Sequence, residues 1–215
     1  MPRIAIIDYG VGNLRSVEKA FLATGHNASI SSDERILREA ERLVLPGVGA
    51  FRACMEALSS RGFDRLVLER AEEGTPILGI CVGMQMLFES SDEFGPSKGL
   101  GLLRGRVRRF DDDLLVPQVG WNQVHVRSPH PLLSGIEDRA FFYFVHSYYC
   151  EAAEAEDVIG ETGYGKDYVS VVAHENICGV QFHPEKSQAA GLTLLSNFAE
   201  FPPQSHQDTK LHKGT

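Results

Sequence analysis

Paired cysteines are absent from this sequence. Its four cysteines, Cys54, Cys81, Cys150 and Cys178, form no CxxC pair and show no regular spacing, which argues against a disulfide framework or a structural zinc site and for a reducing compartment. Excess positive charge is absent too. Lys and Arg number 21 against 29 Asp and Glu, a formal net charge of −8, so no nucleic-acid partner is expected. The one basic cluster, Arg-Gly-Arg-Val-Arg-Arg at 104–109, runs straight into Asp111-Asp112-Asp113 and reads as a charged strand edge or a solvated loop. No apolar run approaches the ~18 residues of a membrane-spanning helix, and Ile4-Ala5-Ile6-Ile7 is stopped by Asp8, too short for a signal-peptide core. A soluble, cytoplasmic protein without a membrane partner is the expectation. What the 215 residues do contain, 43% apolar and 23% charged, suits one large α/β domain with a real core.

That domain is expected over 1–200, followed by a polar, disordered tail over 201–215. Strand and helix patterns alternate through the first half, with strands at 3–8, 28–31 and 42–45 and helices at 13–24, 33–40, 51–59 and 63–72. This is the signature of a mainly parallel twisted sheet with helices on both faces. From 91 to about 134 glycine, proline and charge take over, with short β-like pieces at 107–110 and 123–126, and a small antiparallel or irregular insertion is expected there. A long aromatic strand at 140–149, strands near 158–161, 169–174 and 177–182 and a helix over 191–198 complete the domain, with no internal repeat.

One cysteine stands apart. Thr75-Pro76-Ile77-Leu78-Gly79-Ile80 reads as a short buried strand and Met84-Gln85-Met86-Leu87-Phe88-Glu89 as a helix, so Cys81 falls on the sharp turn between them. Gly79 and Gly83 leave the backbone room to bend, as in the GxSxG elbow that presents a serine nucleophile. Unpaired N–H groups at the start of the helix would favour the thiolate. Alone, the motif also fits a buried core cysteine, and a base decides between the two.

His183 is the base candidate. It follows the apolar strand Gly179-Val180-Gln181-Phe182, and Pro184 is expected to hold the segment extended, so that Glu185 points the same way and orients the imidazole. An isolated HxE would be a capped strand end, and a zinc deaminase would need a PCxxC further on, whereas no cysteine lies beyond Cys178. Acyl transfer also needs an oxyanion hole. The N–H of Val82 supplies one donor, and the loop Pro46-Gly47-Val48-Gly49 can supply the second. Gln85, four residues after Cys81, lies one turn along the same helical face, either as a substrate contact or as a half-exposed helix residue. Gly10-Val11-Gly12 lacks the third glycine of a dinucleotide fingerprint, since position 15 is Arg15. Neither a cofactor nor a metal is expected.

Together, GICVGMQ, PGVGAF and GVQFHPEKS resemble the class I glutamine amidotransferases, over most of 3–198. The resemblance implies a flavodoxin-like α/β fold and a Cys-His-Glu triad that hydrolyses the side-chain amide of L-glutamine and passes the ammonia to a synthase. Carried over, it makes Cys81 the nucleophile, His183 the base and acid, and Glu185 its orienter. Val48 and Gly49 with Val82 would form the oxyanion hole, and Gln85, Ser147 and Tyr148 would hold glutamine. Three further stretches, IDYGVGNLRS at 7–16, PQVGWN at 117–122 and YFVHSY at 143–148, are similar to those glutaminase subunits of the class that pair, as a heterodimer, with a (β/α)₈-barrel cyclase in histidine biosynthesis. On that resemblance Asn13, Trp121 and Lys186 fall near the face that docks on the cyclase. Gln118 stands where the resemblance leads one to expect histidine. The alternatives are a glutaminase subunit of another class I synthase, a stand-alone γ-glutamyl hydrolase, or a catalytically dead binding subunit.

Overall fold

The structure, a computed structural model, describes residues 2–111 and 114–201. Its elements run β1 (Ile4–Ile7), α1 (Leu14–Ala23), β2 (Ala28–Ser31), α2 (Glu34–Glu39), β3 (Arg42–Gly47), α3 (Phe51–Ser60), α4 (Phe63–Glu72), β4 (Ile77–Cys81) and α5 (Val82–Leu87), then β5 (Phe88–Ser91), β6 (Ser97–Lys98), β7 (Leu103–Arg109), β8 (Gln118–Val126), β9 (Ala140–His146), β10 (Tyr148–Ala152), β11 (Val158–Tyr164), β12 (Lys166–His174), β13 (Ile177–Val180) and α6 (Gln188–Glu200). Strands β2, β1, β3, β4 and β13 lie side by side in parallel, and β12 continues the sheet antiparallel to β13. Every residue of β1, β3, β4 and β13 is buried. Such strands need cover on both faces. Helices supply it in two groups, α1 against α6 on one side and α2, α4, α3 and α5 packed in succession on the other. Among the described residues no helix is long and apolar enough to cross a membrane.

The second half corrects several expectations. The basic cluster is an interior strand, β7, paired with both β5 and β10. Its alternation buries Leu103 and Val107 while Arg104, Arg106 and Arg108 face outward to Glu154 and Glu151 at 3.0 to 3.5 Å. Exposed ion pairs of this kind add little stability, and apolar burial on the other face fixes the strand. Within the expected insertion β8 runs for nine residues, hidden in the sequence because its burial alternates and Gly120 interrupts it at φ 131°. The expected single strand at 140–149 breaks at Ser147, because β9 pairs with β8 whereas β10 pairs with β7 and β12. The helix expected to run to Glu89 stops at Leu87, since Phe88 opens β5. Phe201, expected to open the tail, is buried, and its carbonyl accepts from the Arg42 guanidinium. The remainder of the expected tail, 202–215, lies outside the described residues.

Candidate active site

Cys81 is the last residue of β4, between β3 and β13, with φ 56° and ψ −114°. A non-glycine residue holds positive φ only where its surroundings overdetermine it. Here they do. A Cβ on Gly83 would sit 1.8 Å from the carbonyl oxygen of Leu45, and one on Gly79 would sit 2.7 Å from the Gly83 carbonyl oxygen. Helix α5 therefore packs its backbone directly on β3 and β4, and its first residues must follow Cys81 through the tight turn. Val82 is the first helical residue, whose N–H has no partner within the helix.

His183 lies three residues beyond β13. Its backbone N–H donates to Tyr143 of β9 at 2.9 Å, and its carbonyl accepts from the Ser187 hydroxyl at 2.6 Å. The segment after it is not extended as the sequence suggested, since Pro184–Lys186 form a 3₁₀ turn. Proline fixes the first position of that turn, and its tightness returns the Glu185 carboxylate to the ring. Nδ1 of His183 lies 2.9 Å from Oε1 of Glu185, with the two side chains 4% and 1% exposed. Burial alone would lower the imidazole pKa, but hydrogen bonding and charge from Cys81 and Glu185 outweigh it and push it up to about 10. With Nδ1 spent on Glu185, Nε2 is left for Cys81, and it is buried with no hydrogen-bond partner among the described residues. This arrangement can take a proton from a thiol and return it to a leaving group.

Both groups open on a cavity of about 330 Å³ at the carboxyl ends of β3 and β4, where open α/β sheets bind ligands. Val48, Gly49, Cys81, Val82, Gln85, Ser147, Tyr148 and His183 all line it. Glu185 stands behind His183, whereas Asn13, Trp121 and Lys186 lie outside the cavity. Gln85 is 3% exposed, which excludes the half-exposed reading. Its Nε2 donates to the Tyr148 carbonyl and to Gln181 Oε1, each at 3.1 Å. A hollow of about 400 Å³ at the other end of β1 and β2, beside Arg3, Ser29 and Glu39, brings together no nucleophile and base. No group of three His, Cys, Asp or Glu able to hold a metal occurs among the described residues.

Three residues in or beside the cavity escaped the sequence reading. Glu93 lines it, buried, with Oε2 accepting the Phe51 N–H at 2.6 Å. His146 lines it as well, its Nδ1 2.7 Å from the Tyr148 carbonyl and its Nε2 3.1 Å from the Tyr168 hydroxyl. Burial brings His146 down to about 4, against the Tyr148 hydrogen bond and assisted by the charge of His183. The Tyr168 hydroxyl also lies 3.0 Å from the Gln118 side-chain amide, so the glutamine at the unexpected position completes a buried network. Gln181 is fully buried, with Nε2 3.8 Å from the Cys81 sulfur. No local signal marks any of the three.

The family model described as glutamine amidotransferase class-I matches residues 5–200. The chain is similar to the protein named imidazole glycerol phosphate synthase subunit HisH of Salinibacter ruber, with 50% identity over 204 residues, 92% of this chain and 94% of that one. It is also similar to the protein of the same name from Geobacter sulfurreducens, with 49% identity over 208 residues, 93% and 99% of the two chains. Among solved structures, PurLQS from Thermotoga maritima superposes with a TM-score of 0.75 at 19% identity, covering 93% of this chain and 98% of that one. A crystal structure described as a glutamine amidotransferase gives 0.73 at 18%, covering 91% and 98%. At such identities these structures speak for the fold.

Proposed function

The chain belongs to the class I glutamine amidotransferases, and from that premise we propose that it is the glutaminase subunit of an imidazole glycerol phosphate synthase, hydrolysing L-glutamine and passing ammonia to a cyclase partner in the cytoplasm. One observation carries the chemistry: a cysteine held at positive φ shares a cavity with a histidine whose far nitrogen is hydrogen-bonded to a buried carboxylate. With the shared proton held on His183, Cys81 attacks the glutamine carboxamide as the thiolate. Charge developing on the amide oxygen is met by the N–H of Val82 and by the Val48–Gly49 backbone, donors that matter most where charge appears in the transition state. His183 protonates the departing ammonia, and water then cleaves the thioester to glutamate with His183 acting as base. Glu185 keeps Nδ1 protonated and the ring oriented.

Substrate recognition follows from the rest of the cavity. The buried Glu93 carboxylate suits the α-ammonium of a free amino acid. Ser147 and Tyr148, at the break between β9 and β10, offer polar groups on the same wall, and Gln85 keeps its carbonyl oxygen for the ligand.

An apolar face adjoins the cavity. Register places Val119 beside Val145, Trp121 beside Tyr143 and Gln123 beside Phe141, and Val119, Trp121 and Phe141 are 60%, 45% and 54% exposed. Lys186 holds its ammonium 5.6 Å from the Tyr143 ring centre. Asn13 occupies the N-cap position of α1 without spending its side chain on the cap, and α1 packs against the Pro184–Lys186 turn. An exposed aromatic face of this kind marks a protein partner. Ammonia would be protonated in bulk water, so transfer across this face needs an enclosed route into the barrel, where imidazole glycerol phosphate is made.

Mixing the chain with the cyclase subunit and following glutamate release with and without the cyclase substrate tests the reading. The isolated chain should turn over glutamine weakly and the complex with bound substrate strongly. Turnover unchanged by either addition overturns it.

A further inference from the structure

We infer that Gln181 is a catalytic residue for the same chemistry, a side-chain N–H donor that stabilises the Cys81 thiolate, and this inference rests on the glutaminase reading above. Helix α5 is only six residues long, and a helix that short contributes a weak field at the sulfur. A side-chain donor at the sulfur adds to that field. Gln181 Nε2 lies 3.8 Å from Cys81 Sγ, within reach of a hydrogen bond to sulfur, and the side chain is fully buried.

The direction of that hydrogen bond is fixed by the structure. The Tyr148 carbonyl can only accept, so the Gln85 amide that meets it at 3.1 Å must present its nitrogen. The second hydrogen of that nitrogen goes to Gln181 at 3.1 Å, which must therefore present its oxygen. With its oxygen committed to Gln85, Gln181 has only its NH₂ group to turn to the sulfur. One backbone carbonyl thus sets two amides in series: a flip of Gln181 would place two NH₂ groups face to face, and a flip of Gln85 would set its oxygen against two other oxygens, in a buried site. The Gln181 backbone is anchored as well, its N–H donating to Ser170 at 2.9 Å.

With the shared proton on His183 Nε2, the sulfur is negative and the Gln181 amide hydrogen-bonds to it. Attack forms the S–C bond and moves the carbonyl electron pair onto oxygen. The sulfur is then neutral, and the Gln181 hydrogen bond weakens. Its effect belongs to the thiolate before attack, so loss of the donor should be offset by higher pH.

Alkylation of Cys81 by iodoacetamide, followed by mass spectrometry across pH, reads this directly. In Gln181→Met, which keeps the length and loses the donor, the pH of half-maximal alkylation should rise by about one unit, the equivalent of a tenfold change in equilibrium. In complex with the cyclase, the variant's kcat for glutamine near neutral pH should fall roughly tenfold with KM little changed, and should recover as pH rises. An unmoved alkylation profile overturns the inference, as does a loss of kcat equal at every pH, which a merely structural residue would give. Should the variant fail to fold, the side-chain ¹⁵N resonance of Gln181 in the unmodified chain should shift over the pH range in which alkylation switches on, and should not in Cys81→Ser. A flat trace overturns the proposal. Alkylation needs neither glutamine nor cyclase, so failure of the synthase reading would leave this result standing.

Discussion

Two histidines reach the same cavity from different parts of the fold, His183 from beyond β13 in the parallel half and His146 from the end of β9 in the antiparallel half. They are almost equally buried, at 3% and 6% exposure, yet His183 is held up at about 10 and His146 down at about 4. Burial pushes both down, so burial does not separate them. Their partners do. His183 has a carboxylate on one side and a thiol able to ionise on the other, whereas His146 sees a backbone carbonyl and a phenol. The charged ring then discourages a second proton on its neighbour. The cavity thus keeps one proton, on the ring that faces the nucleophile.

The strongest way to break this contrast is to give His183 the neutral company of His146. Glu185→Gln keeps the shape of the partner and removes its charge. Glutamine turnover in the complex should fall roughly 10³- to 10⁴-fold, as when the orienting carboxylate of a triad is replaced by its amide. The His183 ring resonances, which in the unmodified chain should stay those of the imidazolium until pH rises towards 10, should titrate at much lower pH. The stabilisation due to this raised pKa is fully present below the ordinary histidine value of 6.5 and is lost as pH rises through about 10. The variant should lose that alkaline dependence, and a ring still protonated near pH 9 in the variant would break the comparison.

A second test leaves both charges in place and moves the thiol. Gly83→Ala drives a methyl group to 1.8 Å from the Leu45 carbonyl oxygen, and since backbone is rigid on both sides, α5 must shift. Denaturant unfolding should show a loss of about 3 kcal/mol or more, in the range of severe overpacking and strain. Stability within 1 kcal/mol of the unmodified chain would show that the elbow yields more easily than its contacts imply.

The same contrast explains what could be read from sequence. Cys81 and His183 were legible because each sits in a short local pattern, a glycine-flanked strand-to-helix turn and a strand end followed by Pro-Glu. The pairing of His183 with Glu185 was foreseen on the wrong geometry: an extended chain and a 3₁₀ turn both bring the carboxylate to the ring, and the structure uses the turn. Gln181 and Glu93 left no local trace, because their partners lie far along the chain. Gln85 meets Gln181 across 96 residues, and Phe51 meets Glu93 across 42. In the fold, the buried parallel strands stood out as apolar runs, whereas β7 and β8, wet on one face, read as charge and glycine.

The smallest effect concerns His146 and is a difference of slopes. In the folded chain its pKa is about 4 against 6.5 for an unperturbed histidine, so below pH 6.5 the unfolded chain takes up a proton that the native ring refuses. Stability therefore falls as pH drops from 6.5 through about 4, by roughly 3 kcal/mol in all. His146→Gln retains an amide N–H for the Tyr148 carbonyl and removes the titration. Carboxylates elsewhere contribute to acid unfolding equally in both proteins, so urea unfolding of each at pH 7 and pH 4.5 isolates the histidine. The unmodified chain should lose more stability than the variant over that interval, even if the variant starts lower for want of its Tyr168 contact. Parallel losses would mean that His146 accepts a proton in the folded cavity beside a charged His183, and that the neutral half of the comparison is wrong.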